Sequence, residues 1–146
     1  MSEIVIRKLQ KEDIEPLSAI EQDSFSMPWS AEEFENLLSR DYCYYLVALW
    51  DGQIVGGCGM TCICGEGNID NVVVAKEYRN KQIATKMLQR ILNDGDAMGM
   101  TAYTLEVRVS NAPAIRVYEK LGFVSEGIRP RFYEKPVEDA MIMWKR

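Results

Sequence analysis

The chain has 146 residues, 47% apolar and 27% charged, and its 17 Lys and Arg against 22 Asp and Glu leave a formal charge of −5. It contains no histidine, which excludes Ser-His-Asp and Cys-His catalysis, a histidine zinc helix and an imidazole general base. Proton traffic must run through carboxylate, tyrosine, lysine, cysteine or water.

The length suits one domain over residues 1–146. The acidic balance disfavours nucleic acid, whose phosphates call for a basic footprint, and suits a basic peptide or a cationic amine. Met1-Ser2-Glu3 lacks the basic and apolar regions of a signal peptide. The longest apolar run, Cys43 to Trp50, is far short of the roughly 20 residues that span a bilayer. A soluble, cytoplasmic protein with no membrane partner is expected. Cys43, Cys58, Cys62 and Cys64 follow neither a disulfide nor a zinc spacing. Cys58, Cys62 and Cys64 share parity, so they are expected to face one side of a strand as reduced packing residues, with no metal.

Ile4, Ile6 and Leu9 open a short strand. Ile14, Leu17 and Ile20 recur at helical spacing, with Pro16 tolerated in the first turn. Ser30-Ala31-Glu32-Glu33 is a capping-box pattern ahead of Phe34, Leu37 and Leu38, so Met27-Pro28-Trp29 connects two helices. Tyr44 to Trp50 reads as a strand, and Asp51-Gly52 as a tight hairpin into Ile54 to Ile63. Gly65-Glu66-Gly67-Asn68 is expected to turn the chain into a β-branched strand from Ile69 to Ala75, completing an antiparallel meander.

Ile83, Met87, Leu88, Ile91 and Leu92 then mark an amphipathic helix ending near Gly95 or Gly99. Tyr103 to Val109 alternates as a strand. Asn111 is a plausible N-cap, with Pro113 in the first turn and Gly122 at the C-terminal stop. Phe123 to Ile128 and Ala140 to Trp144 close the chain as strands. The order β, α, α, β, β, β, α, β, α, β, β predicts a mixed sheet with helices packed on it, an α/β domain of the α+β kind.

Chemistry is concentrated where the Ile69–Ala75 strand passes through a basic loop into a helix at about Ile83. A helix N-terminus offers unpaired N–H groups and a partial positive charge, a natural seat for phosphate. Arg79 and Lys81 add charge and Thr85 a hydroxyl; the plainer reading is a solvated basic turn.

The segment Arg79-Asn80-Lys81-Gln82-Ile83-Ala84 resembles the Gln/Arg-x-x-Gly-x-Gly/Ala loop of the GNAT superfamily of acetyl-CoA-dependent N-acetyltransferases. Gln82 replaces the middle glycine, and a positive φ there would cost about 1–2 kcal/mol. Asn111 to Phe123 is similar to the superfamily's Asn-x-x-Ala-x-x-x-Tyr-x-x-x-Gly-Phe helix, a far more specific pattern. Leu105-Glu106-Val107-Arg108, Pro28-Trp29-Ser30 and the ending Glu138 to Met143 are similar to the RimI type, the ribosomal-protein-alanine N-acetyltransferases. The resemblance covers nearly the whole chain and implies a mostly antiparallel sheet of about seven strands flanked by about four helices.

The resemblance also implies roles. Backbone groups of Val72, Val73 and Val74 would pair with the pantetheine arm of acetyl-CoA and polarise its thioester carbonyl. Arg79, Asn80, Lys81, Gln82, Ile83, Ala84 and Thr85 would hold the pyrophosphate, and Asn111 would contact the cofactor. Glu106 would be the general base and Tyr118 the general acid for the departing thiolate. The acceptor would be the N-terminal α-amine of a protein, in particular an alanine-starting ribosomal protein.

Residue by residue, plainer readings stand beside these. Glu106 could be the polar face of a strand paired with Arg108, and Tyr118 a core-edge tyrosine with a bonded hydroxyl. Trp29 and Tyr133, both in loop-like segments, are candidates for the peptide cleft, Tyr133 together with Arg129 and Arg131 between the last two strands. Trp29 reads equally as a hydrophobic lid on the first two helices.

Amine basicity bears on the acceptor. At pH 7 about a tenth of an α-amine of pKa 7.7–8.0 is neutral, against about one lysine in a few thousand. One glutamate suffices as base for the former. A lysine or small-molecule amine as acceptor, and a non-catalytic acetyl-CoA-binding module, are the rival readings.

Overall fold

The computed structural model describes residues 3–26 and 28–146. Met1 and Ser2, the start read above as lacking signal-peptide features, and Met27 of the connection between helices lie outside the described residues. The elements run β1 (Ile4–Lys8), α1 (Ile14–Ser24), α2 (Ala31–Leu38), β2 (Cys43–Trp50), β3 (Gln53–Ile63), β4 (Glu66–Val74), α3 (Ile83–Ala97), β5 (Ala102–Arg108), α4 (Ala112–Lys120), β6 (Val124–Tyr133) and β7 (Glu138–Lys145). The strands form one sheet in the order β1-β2-β3-β4-β5-β7-β6. Every neighbouring pair is antiparallel except β4 and β5, which are joined through α3, because parallel strands need a long crossover.

Local signals explain most boundaries. Ser30 Oγ accepts from the Glu33 N–H at 3.2 Å and Glu33 Oε1 accepts from the Ser30 N–H at 3.1 Å, so the capping box starts α2. Asp51 and Gly52 both have positive φ, 49° and 85°, the backbone a two-residue hairpin requires. Asn111 Oδ1 caps α4 by accepting from the Ala114 N–H at 3.3 Å, and Gly122 follows that helix at φ 101°.

Two expected boundaries move, and at the end of α3 one of two expected stops is taken. The β3–β4 turn is Cys64-Gly65, with φ 52° and 79°, so Glu66, Gly67 and Asn68 belong to β4. The same turn takes Cys64 off the strand and into solvent, whereas Cys58 is buried and Cys43 and Cys62 are half-buried. Gly95 lies inside α3, where a Cβ would come within 2.5 Å of the Tyr103 hydroxyl, and the chain leaves the helix at Gly99, φ 93°. Strand β6 continues through Arg129 and Arg131 to Tyr133, because its pairing with β7 resumes at Tyr133↔Glu138 after an irregularity.

Side chains alternate between two cores. One face of the sheet carries Leu46, Met60, Ile69 and Leu105 against Ile83, Met87, Leu88 and Ile91 of α3 and Tyr118 of α4. The other carries Tyr45, Val47 and Val73 against Leu17 of α1 and Phe34 of α2. Phe34 is fully buried, and truncating it to alanine is worth about 3–5 kcal/mol. Two packed faces hold β4 and β5 in place from both sides, and the site forms where those two strands part.

Candidate active site

Strands β4 and β5 pair only at Glu66↔Ala102, Gly67↔Tyr103 and Asn68↔Thr104. Beyond that level residues 69–74 have no β5 partner, and β5 turns its free length toward β7. Strand β4 also carries a bulge against β3: Gly57 pairs with Val73 but Gly59 with Asp70, which leaves an extra residue on β4. Asn71, in the left-handed region at φ 54°, sits in that step. Its side-chain amide donates to the Tyr45 hydroxyl at 3.0 Å.

The opening is a cleft of about 790 Å³ lined by both strands, the connection between α1 and α2, the start of α4 and the β6–β7 turn. Glu106, Tyr118, Val72, Asn111, Trp29 and Tyr133 all line it. Tyr133 reaches it from the end of a strand instead of from a loop.

At the β4 end the groups are mostly backbone. Val73 packs into the α1/α2 core, whereas Val72 and Val74 lie against the α3/α4 core. The following loop places Asn80 at φ 64° and Gln82 at φ 63°, so the conformation that glycine would adopt freely is held here by Gln82. Gln82 is the N-cap residue of α3, yet no side chain caps that helix. The first helical bond runs from the Lys86 N–H to the Gln82 carbonyl at 3.1 Å. The preceding N–H groups of Ile83, Ala84 and Thr85 are therefore the unpaired donors of a helix start, fit for an anion.

The side chains of this loop are otherwise engaged. Arg79 donates to the Val74 carbonyl at 3.1 Å and to Ser24 Oγ at 3.4 Å. The Lys81 ammonium lies 5.5 Å from the centre of the Trp50 ring. Ile83 is buried in the core.

At the β5 end the groups are side chains. Glu106 forms an ion pair at 3.1 Å with Arg129 of β6. Arg108, expected as its neighbour, instead pairs with Glu138 at 3.2 Å, and its guanidinium stands 4.5 Å from the Tyr133 ring centre. The Glu138 carboxylate also accepts from the Ser110 N–H at 2.8 Å, and the Ser110 side chain first, then this N–H, lower its pKa.

Tyr118 is nearly buried, edge-on to Phe123 at 5.9 Å. Burial pushes its phenol well above the usual range, with the neighbouring Cys58 and Tyr133 adding to the rise, so it carries its proton at neutral pH. Burial likewise raises Tyr133, to about 12. Trp29 packs 5.4 Å from Phe34 and 6.3 Å from Tyr45, so it is a lid on α2 and a wall of the cleft together.

Sequence reasoning missed two acids. Asp70 of β4 lines the cleft, and burial together with the Glu106 charge raises its pKa to about 6. Behind it Glu21 of α1 is completely buried, and among the described residues neither carboxylate oxygen is hydrogen-bonded, although the Asn71 side chain and the Trp29 backbone lie close by; burial raises it to about 7. The signals were legible: Asp and Asn are depleted in strands, yet Asp70-Asn71 interrupts a β-branched run. Glu21 follows Ile14, Leu17 and Ile20 on a buried helical face. Among the described residues no group of three or more His, Cys, Asp or Glu side chains is placed to hold a metal ion, and no helix is long and apolar enough to cross a membrane.

The pattern of the acetyltransferase (GNAT) family matches residues 14–123. A Bacillus subtilis protein, provisionally named a ribosomal protein bS18-alanine N-acetyltransferase, is 35% identical over 140 residues, covering 95% of this chain and 93% of that one. The Escherichia coli ribosomal protein bS18-alanine N-acetyltransferase is 29% identical over 140 residues, 94% of each chain. A crystal structure of the ribosomal-protein-S18-alanine N-acetyltransferase from Escherichia coli superposes with a TM-score of 0.91 at 27% identity, over 98% of this chain and 93% of that one.

Proposed function

Since the chain belongs to the acetyltransferase (GNAT) family, we propose that it transfers acetyl from acetyl-CoA to the N-terminal α-amine of a protein, an alanine-starting ribosomal protein in the cytoplasm being the preferred acceptor. The observation that carries this reading is the cleft at the parting of β4 and β5, with Glu106 and Tyr118 both on its walls. The names of the Bacillus and Escherichia relatives support the acceptor class.

In this reading acetyl-CoA lies along β4, its pantetheine amides pairing with the backbone of Val72, Val73 and Val74 as an added strand would. Its pyrophosphate rests on the loop from Arg79 to Thr85, chiefly on the N–H groups that open α3. Asn111 contacts the cofactor from the start of α4. Its side-chain oxygen is already committed to the Ala114 N–H, which leaves its side-chain amide for that contact.

The acceptor amine enters beside Trp29 and Tyr133. Its nitrogen lone pair attacks the thioester carbonyl carbon, and the C–S bond breaks as the carbonyl re-forms. Glu106 takes the proton the nitrogen sheds, and Tyr118 gives its own to the departing sulfur. The dry surroundings that keep Tyr118 protonated also raise a thiolate's affinity for that proton.

Incubating the protein with acetyl-CoA and an alanine-starting peptide that also contains an internal lysine tests the reading. Fragment spectra should place a single acetyl group on the N-terminal nitrogen. Acetyl on the lysine alone, or on small amines only, would contradict the acceptor assignment.

A further inference from the structure

An α-ammonium carries three N–H protons and the amide nitrogen it becomes keeps one, so transfer to the protonated acceptor must shed two protons. Glu106 can hold only one. The pairing of β4 with β5 shows where a second acceptor stands. Asn68 is level with Thr104, so two residues further along Asp70 is level with Glu106 across the opening. Ile69 and Leu105, between those levels, both point into the α3/α4 core, so Asp70 and Glu106 share the opposite face, toward the cleft that both line.

The surroundings of Asp70 are built around its carboxylate. A Cβ on Gly59 would lie 2.8 Å from Asp70 Oδ1 and 2.8 Å from the Tyr45 ring, so glycine leaves the space these groups occupy. Among the described residues Asp70 has no hydrogen-bonding side chain and no cation. Arg129 is taken by Glu106, Arg108 by Glu138, and Arg79 by Val74 and Ser24. The groups that face Asp70 are Glu106 from β5, Glu21 from α1, Tyr45 from β2 and Cys58 from β3. None is cationic. A half-buried carboxylate without a countercharge is costly, and a positive charge can reach it from the cleft.

We propose that Asp70 is a second catalytic carboxylate, which receives the acceptor's ammonium group and takes its first proton. The proposal rests on the reading above, that an amine is acetylated in this cleft. The neutral amine then attacks, Glu106 takes the second proton, and Tyr118 protonates the sulfur. The proton on Glu106 restores Tyr118 through water, and the proton on Asp70 leaves to solvent, so one amide, one thiol and one free proton result. Burial beside Glu106 raises Asp70 to about 6, which brings it toward the pKa of an α-amine.

The test is kcat/KM against pH for the wild type, Asp70→Asn and Asp70→Ser on the alanine-starting peptide. The wild-type acid limb should fall near 6. In both variants it should move up to the acceptor's own pKa, about 7.7–8.0. The deficit is then about tenfold at pH 7 and shrinks to within about twofold above pH 9. An unchanged rise in melting temperature on adding acetyl-CoA shows that the variants keep the folded cofactor site. A limb that stays in place, with the rate changed evenly at all pH values, would overturn the proposal. So would a wild-type Asp70 carboxyl that titrates by NMR at an ordinary value near 3.9. If lysine proves to be the acceptor, the variant limb should move toward about 10.4 instead; the acceptor assignment then fails while the role of Asp70 stands. Turnover of no amine at all would overturn both.

Discussion

The two ends of the cleft are built from different materials. Along β4 and into the loop that follows it, which lies beyond the residues lining the cleft, the groups that the proposed reading offers to acetyl-CoA are backbone: strand positions beyond Asn68 without a β5 partner and the free N–H groups at the start of α3. At the β5 end they are the side chains of Glu106, Tyr118 and Tyr133, which Asp70 of β4 faces across the opening. Backbone recognition tolerates side-chain replacement as long as the chain keeps its path. Side-chain chemistry does not. On the proposed reading this accounts for Gln82 where the resemblance expects glycine: it holds φ 63°, and the N–H groups that would meet the pyrophosphate belong to its neighbours.

If the division is real, substitutions at the two ends should separate turnover from binding. The largest effect is expected from Glu106→Gln, a loss of about 10²–10⁴-fold in kcat/KM for peptide, with Tyr118→Phe toward the lower end of that range. Steady-state kinetics on both substrates checks this.

A smaller effect concerns stability on the acceptor side, where Glu21 is buried with no hydrogen-bond partner among the described residues. Its folded pKa is raised from 4.5 to about 7, so the native state keeps a proton that the unfolded chain has released. Stability is therefore lost as pH rises from about 4.5 to 7, and the loss is complete above 7. Glu21→Gln should stabilise the protein by about 3 kcal/mol at pH 8 and by almost nothing at pH 4, as read from urea midpoints. An equal gain at both pH values would mean the carboxyl is not the source.

The smallest effect belongs to the backbone end. Gln82→Gly relieves the left-handed strain of about 1–2 kcal/mol but gives back some unfolded-state entropy. The melting temperature should rise slightly, and acetyl-CoA affinity should change by less than about tenfold. A larger loss of affinity would show that the Gln82 side chain itself takes part in binding.

The same contrast governs how much was legible in the sequence. Local signals carried the fold: the capping box at Ser30, the Asp51-Gly52 hairpin, the Asn111 cap and the Gly122 stop all sit where the spacing put them. The turn into β4 was displaced because several glycines compete near it, and the Cys64-Gly65 pair makes the hairpin while Gly67 packs inside the strand against Met60 and Tyr103. β6 was read too short because its polar, exposed surface shows no alternation.

Motifs single out Glu106 and Tyr118, which the structure places on the cleft wall, and the loop from Arg79, which lies outside the cleft's lining. Asp70 and Glu21 carry local signals, an acid inside a β-branched run and an acid on a buried helical face. Their place beside the cleft and the Glu106–Arg129 ion pair depend on which strands and helices lie side by side, and a contact between distant segments leaves no local pattern. Arg108, two residues from Glu106, looked like its partner, but β7 brings Glu138 to Arg108 and β6 brings Arg129 to Glu106.

Calorimetric titration of acetyl-CoA into Glu106→Gln, set beside turnover of the same preparation, tests the division most directly. Kd should stay within about twofold of the wild type while acetyl transfer to the alanine-starting peptide falls at least about a hundredfold. A Kd that weakens in proportion to the lost turnover would contradict it.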